Sequence, residues 1–333
     1  NGTVANSGTL SIGRVGVLNV NNGASWTQSG DMSLSGIGGY SATMNVQAGA
    51  SFASTGTNPI LLNGAASNSG RGLLNISGTG TMTTATGFEQ TTTPTTGYGR
   101  VTLSGGGTLK LSANVSTLTN QVQFALGAGG GVIDTNGHDA TLSGAVTVGS
   151  GAALATGISG AGGLTKQGGG ILTLSGTNTY TGATLVSAGT LLITGALSNS
   201  DVTVDASATV GGTGTLGGDL AMNGSSLFTV SDLIDPLSVT GTITFGSGFG
   251  IGNLLGLDWD ALDLNSPYTL ISTTQTFSSS DIANFGSANA VTVGTGRSAY
   301  FQNGSLQVVV IPEPRAALLG GLAVLLLLRR RRP

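Results

Sequence analysis

The chain has 333 residues, 59 of them Gly and none Cys, with 39% hydrophobic and 8% charged; it cannot form disulfides or thiolate metal sites, and its low charge with ample apolar content argues against disorder. The formal charge of −3 hides a split: six basic and thirteen acidic residues precede Ile311, about −7 for the body, while Arg329, Arg330, Arg331 and Arg332 cluster at the end. Such an acidic body argues against nucleic acid as a partner, since phosphate binding takes clustered Lys and Arg.

The chain opens at Asn1 without a basic-then-apolar leader, so a signal peptide and further repeats are expected upstream. Four segments then align: "LNVNNGASWTQ" from 18, "MNVQAGASFAS" from 44, "LNISGTGTMTT" from 74 and "VTLSGGGTLKL" from 101. Each reads as an alternating strand, a Gly turn and a second short strand. Looser copies start at 146, 202 and 220. Period-two alternation predicts strands with one buried face. No helical pattern separates them, which excludes a βαβ fold. A period in the twenties is one turn of a solenoid. A β-sandwich is the alternative, but the near-constant spacing favours a right-handed parallel β-helix. Its inward Val, Leu and Ile would stack between coils, with Gly and Asn at corners that need φ > 0.

Two resemblances follow from these residues. Leu18-Asn19-Val20 and Gly23-Ala24-Ser25-Trp26 resemble the repeat of type V secretion and PEP-CTERM proteins, assigned here to 1–127. The region 128–245 more closely resembles the passenger-associated, autotransporter-associated β-strand repeat. Gly163-Leu164-Thr165-Lys166, Leu172-Thr173-Leu174-Ser175-Gly176, Asn178-Thr179-Tyr180-Thr181-Gly182 and Gly189-Thr190-Leu191 carry that likeness. It implies the β-helical stem of a secreted surface protein. The chain departs from autotransporters in leaving no room for a membrane barrel after the repeats. Within 170–195, Ile171, Leu172, Leu174, Leu185, Leu191 and Leu192 are expected in the core, and Gly176, Gly182 and Gly189 at corners.

Residues 246–310 lose the Gly rhythm and are assigned as a β-rich C-terminal cap, because an open last coil exposes apolar core and strand edges. "SSSDIANFG" predicts a short helix starting near Ser280 or Asp281. "RSAYFQNGSLQVVV" predicts a hairpin with a type I′ turn at Asn303-Gly304. Asp258, Asp260 and Asp263 offer oxygens to calcium, but the Gly and distal Glu of an EF-hand loop are missing. An acidic loop with Trp259 and Leu262 turned inward is the plainer reading.

Catalytic signals are weak. His138, the one histidine, lies between Asp134 and Asp139 in "DTNGHDA" and reads as a turn residue; no GxSxG motif supports a triad. Gly212-Thr213-Gly214-Thr215-Leu216-Gly217 matches GxGxxG, but a strand pattern follows where dinucleotide binding needs a helix. Charged residues are scattered through 1–245, and no cofactor is implied.

The chain closes with Pro312-Glu313-Pro314, an apolar run from Ala316 to Leu328, and four Arg. As a helix the run spans about 20 Å, short of a bilayer core of about 30 Å. The Arg stems fit a cytoplasmic stop by snorkelling. Residues 311–333 resemble the PEP-CTERM sorting signal: Pro-Glu-Pro box, short transmembrane helix, basic tail. That resemblance implies a Gram-negative cell making exopolysaccharide, recognition by an exosortase at Pro312, Glu313 and Pro314, and release or attachment at the surface. A plain inner-membrane anchor is the alternative. The function expected is an exported structural or adhesive stalk without catalysis. A β-helical polysaccharide lyase or glycosidase is the alternative.

Overall fold

Every second residue of the strand Ser41–Val46 is buried: Ala42, Met44 and Val46 point inward, and Ser41, Thr43 and Asn45 point out. Arg71–Ser77 and Tyr98–Ser104 repeat the pattern. In the computed structural model, which describes residues 2–62, 70–90, 97–143, 146–147, 153–154, 158–303 and 305–313, these strands lie parallel. Leu18 is opposite Met44, Met44 opposite Leu74, and Leu74 opposite Val101. The four segments aligned in the sequence therefore stack residue on residue.

Each coil gives one strand to each of three parallel sheets, as Thr3–Asn6, Leu10–Gly13 and Val17–Val20 do in the first coil. The first face is one 11-stranded sheet from Thr3–Asn6 to Ile243–Phe245. At about 4.8 Å per strand it runs roughly 50 Å along the axis. The second face begins with Leu10–Gly13 and breaks between Asn120 and Ala140; the third begins with Val17–Val20 and breaks between Ser159 and Thr177. Between the second-face strand Ala140–Leu142 and the third-face strand Ile158–Ser159 an antiparallel pair, Val146–Thr147 with Ala153–Leu154, joins no parallel sheet. The looser repeat expected from 146 is thus an excursion from the coil, and its remaining residues lie outside the described ones. Coil offsets of 26 and 30 residues at Asn19, Asn45 and Asn75 shorten to 18 at Asp201 and Asp219.

The core is the stacked inward columns. On the first face Trp26, Phe52, Met82, Leu109 and Ile133 succeed one another in register. Phe52, Met82, Leu109 and Ile133 are fully buried. In the passenger-like stretch Leu172, Leu174 and Leu191 are buried as expected, together with Val186 and Ile193. Ile171, Leu185 and Leu192 are only half-buried, because their strands have the opposite parity and turn them outward. Of the expected corners, Gly189 has φ 69°, while Gly176 and Gly182 are not in the left-handed region.

After Phe245 one last rung is added to the second face, where Leu254–Leu255 pairs parallel with Leu227–Thr229, and the regular coils then give way. Pro267–Ser272 continues the third face but pairs antiparallel with Leu306–Pro312 on its other edge. Arg297–Gln302 and Val291–Gly294 then complete an antiparallel meander. The hairpin expected at 303–304 forms, but its closing pair is Gln302 with Gln307, a longer loop than type I′ allows. Ser305 carries the positive φ of 64°, and Gly304 lies outside the described residues. The helix expected from Ser280 or Asp281 is one turn. Asp281 N–H and Ile282 N–H donate to Ser278 O, but Ala283 N–H donates instead to Phe249 O at 2.8 Å, and Asn284 has φ 59°. Tertiary pairing takes the donor the helix needed. No described helix is long and apolar enough to cross a membrane; residues 314–333, with the expected transmembrane run, lie outside the described residues.

Candidate functional site

One cation lies inside the β-helix. Lys166 follows Ile133 in the inward column of the first face and is fully buried. Its Nζ donates to Thr135 Oγ1 (2.9 Å), Gln167 O (2.9 Å), Gly168 O (2.7 Å) and Ala188 O (3.0 Å). Burial lowers its pKa from 10.5 to about 8, against the pull of Asp134 and Asp139; at neutral pH it remains an ammonium. A Cβ on Gly189 would stand 2.8 Å from Nζ, so the glycine leaves the space the cation fills. The sequence held a signal for this: in Leu164–Gln167, Lys166 shares parity with the buried Leu164.

Two more polar groups of the same stretch point inward. Asn178 accepts from Ile158 N–H (2.8 Å) and donates to Gly176 O (3.0 Å) and Ala196 O (3.1 Å), linking three coils across the interrupted third face. Tyr180 is fully buried; its hydroxyl meets Thr184 Oγ1 at 2.6 Å, which meets Ser200 Oγ at 2.8 Å. Burial pushes the Tyr180 phenol up to about 12, with the hydroxyls of Thr184 and Ser200 pulling the other way. These groups are satisfied by the fold itself and face no solvent.

The residues singled out for chemistry do not converge. His138 sits in a tight turn after Asn136 (φ 51°) and Gly137 (φ 86°), its N–H on Thr135 O at 2.8 Å. Among the described residues no hydrogen bond joins its ring to a hydroxyl. Asp134 pairs with Lys110 at 3.4 Å, and Asp139 accepts from Ile171 N–H at 2.8 Å. Asp260 faces Arg297 at 3.5 Å and accepts from Thr295 N–H. Asp258 accepts from Asp260 N–H, and no described group of three or more His, Cys, Asp or Glu is arranged to hold a metal. The GxGxxG segment lies in strands Thr209–Gly212 and Thr215–Leu216, with another strand, Leu220–Met222, after it. Of the sorting box, Pro312 ends the strand Leu306–Pro312, and Glu313 N–H donates to Gly296 O at 2.9 Å. Thr292 Oγ1 also donates to Glu313 Oε1 at 3.0 Å. Strand pairing thus continues two residues past Val310. Pro314 and Arg329–Arg332 lie outside the described residues.

The outer surface offers a groove that sequence reading missed. Three adjoining depressions of about 430, 320 and 340 Å³ run along the second face. The first two share Pro59 and Glu89, and the last two share Asn114 and Ser116. Asp31, Asn58, Asn114 and Asp139 line its polar side as a hydrogen-bonded corner row: Asn58 Nδ2 donates to Asp31 (2.8 Å), and Asp139 N–H donates to Asn114 Oδ1 (3.0 Å). Asp31 and Glu89 lie two coils apart, about 10 Å along the axis.

Residues 164–193 match the passenger-associated-transport-repeat. No curated protein and no solved structure matches the chain. The matched repeat contains Lys166, Asn178 and Tyr180. These are the buried polar groups that tie coil to coil in the parallel stack.

Proposed function

We propose that the protein is an exported structural or adhesive stalk at the surface of a Gram-negative bacterium. The observation that carries this reading is the stack of parallel coils around one unbroken core, with a passenger-associated-transport-repeat built into it. Such a stack gives length and hides its backbone amides from proteases. The coils wind right-handed, following the handedness of parallel crossovers. Residues 246–310 act as the cap: their antiparallel meander covers the last coil, where a parallel edge would otherwise invite pairing with another chain. Residues 311–333 act as the sorting signal, supported by their sequence: an exosortase recognises Pro312, Glu313 and Pro314, and the apolar run with Arg329, Arg330, Arg331 and Arg332 anchors the chain transiently in the inner membrane. The mature stalk then stays at the cell surface or in an exopolysaccharide matrix.

We read the stalk as non-catalytic, a reading supported by the groove carboxylates Asp31 and Asp139 each being held by the fold, Asp31 by Asn58 and Asp139 by Ile171 N–H. Mass spectrometry of surface-labelled intact cells tests the proposal. Peptides from 1–313 are expected in the surface fraction without the Arg329–Arg332 tail. Protein confined to the cytoplasm overturns the export reading, and an intact tail at the surface overturns the sorting reading. Release of oligosaccharide from a glycan panel by purified protein overturns the non-catalytic one.

A further inference from the structure

The third face of the early coils has a charge distribution unlike the rest of the body. Its strands Val17–Val20, Ser41–Val46, Arg71–Ser77, Tyr98–Ser104, Gln123–Leu126 and Ile158–Ser159 contain no carboxylate and two cations, Arg71 and Arg100. The groove on the second face carries Asp31, Glu89 and Asp139 instead. Charge is thus segregated by face.

Arg71 and Arg100 are gathered around one ring. Arg71 is the register partner of Tyr98, and Arg100 follows Tyr98 by two on the same strand. Their guanidinium carbons lie 5.4 and 4.7 Å from the Tyr98 ring centre, which holds the two cations within about 10 Å of each other. Arg100 is fixed further by Nε and Nη2, which donate to Gln123 Oε1 at 2.8 and 2.7 Å. Lys110 and Arg297 each have a carboxylate partner. Among the described residues Arg71 and Arg100 have none within ion-pair distance. The Tyr98 ring holds the two cations side by side, and neither charge is neutralised by a described carboxylate, so the pair presents concentrated positive charge to an anion from outside.

We infer that Arg71, Tyr98 and Arg100 form a binding site for a carboxylated polysaccharide. Arginine matches a carboxylate with two parallel hydrogen bonds. Beside the pair, on the same face, the amides of Asn19, Asn45 and Asn75 are hydrogen-bonded head to tail at 2.7 and 2.9 Å, offering donors and acceptors to sugar hydroxyls. Tyr40 is exposed next to Arg71, whose N–H donates to Tyr40 O at 3.1 Å. Two cations on an acidic body are too few for nucleic acid, whose affinity grows with the number of phosphates neutralised. The site goes beyond the stalk reading by naming a ligand class, and rests on it only in placing that ligand outside the cell.

The test uses the purified full chain on immobilised polygalacturonate, its methyl ester and dextran. Retention is expected on polygalacturonate alone, weakening with salt. R71Q/R100Q should lower affinity at least about tenfold and R14Q should leave it unchanged. R100K, which keeps the charge but loses the fork to Gln123, should fall between. Thermal melting checks each fold; should the double variant not fold, R71Q at its exposed position carries the comparison. Unchanged affinity in R71Q/R100Q, equal retention on the methyl ester, no retention of the native protein, or tighter binding to duplex DNA each overturns the site. The assay is blind to cellular location, so its failure and that of the surface-labelling experiment are separate results.

Discussion

Lys166 stands in strand register with Ile133 on one coil and Val186 on the next. A cation therefore occupies an inward column otherwise built from Trp, Phe, Met, Leu, Ile and Val. It is tolerated because the adjoining corner turns carbonyls inward: Gly168 O and Ala188 O, from successive coils, converge on the ammonium with Gln167 O and Thr135 Oγ1. The side chain ties three successive coils together where strand pairing gives way to a turn.

Lys166→Met keeps the length of the side chain and removes the donors. Gln167 O retains the N–H and hydroxyl of Thr135, so the carbonyls of Gly168 and Ala188 bear the loss. Relief of the buried charge opposes this, but two stranded acceptors outweigh it. Stability at neutral pH should fall by about 2 kcal/mol, read from the midpoint of urea unfolding with an unchanged slope.

The two perturbed groups give stability a defined pH dependence. Lys166 titrates near 8 when folded against 10.5 unfolded. Between those values the unfolded chain binds more protons, so stability rises with pH through that window. Tyr180 titrates near 12 when folded against 10.0 unfolded; its contribution is complete below 10 and is lost as pH climbs toward 12. Unfolding measured from pH 7 to 11.5 should show a rise and then a fall. Lys166→Met should remove the rising limb and Tyr180→Phe the falling one. A flat profile in the native protein would contradict both assignments.

Gly189 and Gly169 make a matched pair of substitutions. Gly189 has φ 69°, and its Cβ would press on Lys166 Nζ and on the carbonyls of Gly168 and Gly170. Gly169 is not in the left-handed region, and nothing lies within 4 Å of its Cβ. Gly189→Ala should destabilise by about 2 kcal/mol or more. Gly169→Ala should be neutral or stabilise by up to about 1 kcal/mol through the unfolded chain. Equal melting temperatures for the two variants would refute the corner geometry.

The repeat spacing made the stacking legible: Leu18, Met44, Leu74 and Val101 align in sequence and pair in space. Alternation also exposed the core of isolated strands such as Ser41–Val46. Parity failed where apolar residues occupy both sides of a strand, as in Ile171–Leu174 and Thr190–Ile193. The groove and the Arg71–Tyr98–Arg100 cluster were hidden for another reason. Their members come from different coils, and the coil offset varies from 18 to 34 residues, as at Asp201 and Asp219 and at Phe124 and Ile158, so no single spacing brings them together. The meander after Phe245 lacks repeats, and there local helix signals at Ser280 and Asp281 lost to a backbone bond with Phe249.

Leu191 and Leu192 separate these cases experimentally. Leu191 is fully buried between Leu172 and Val210 in register, whereas Leu192 turns outward to the groove beside Ile171 and Thr173. Leu191→Ala leaves a cavity inside the stack and should cost about 3 kcal/mol. Leu192→Ala removes a half-exposed side chain and should cost about 0.5 kcal/mol. The order follows from parity alone, since the two residues are neighbours of identical chemistry. Urea unfolding of both variants decides it: the reverse order would place the strand one residue out of register and move every side chain of Thr190–Ile193 to the other face.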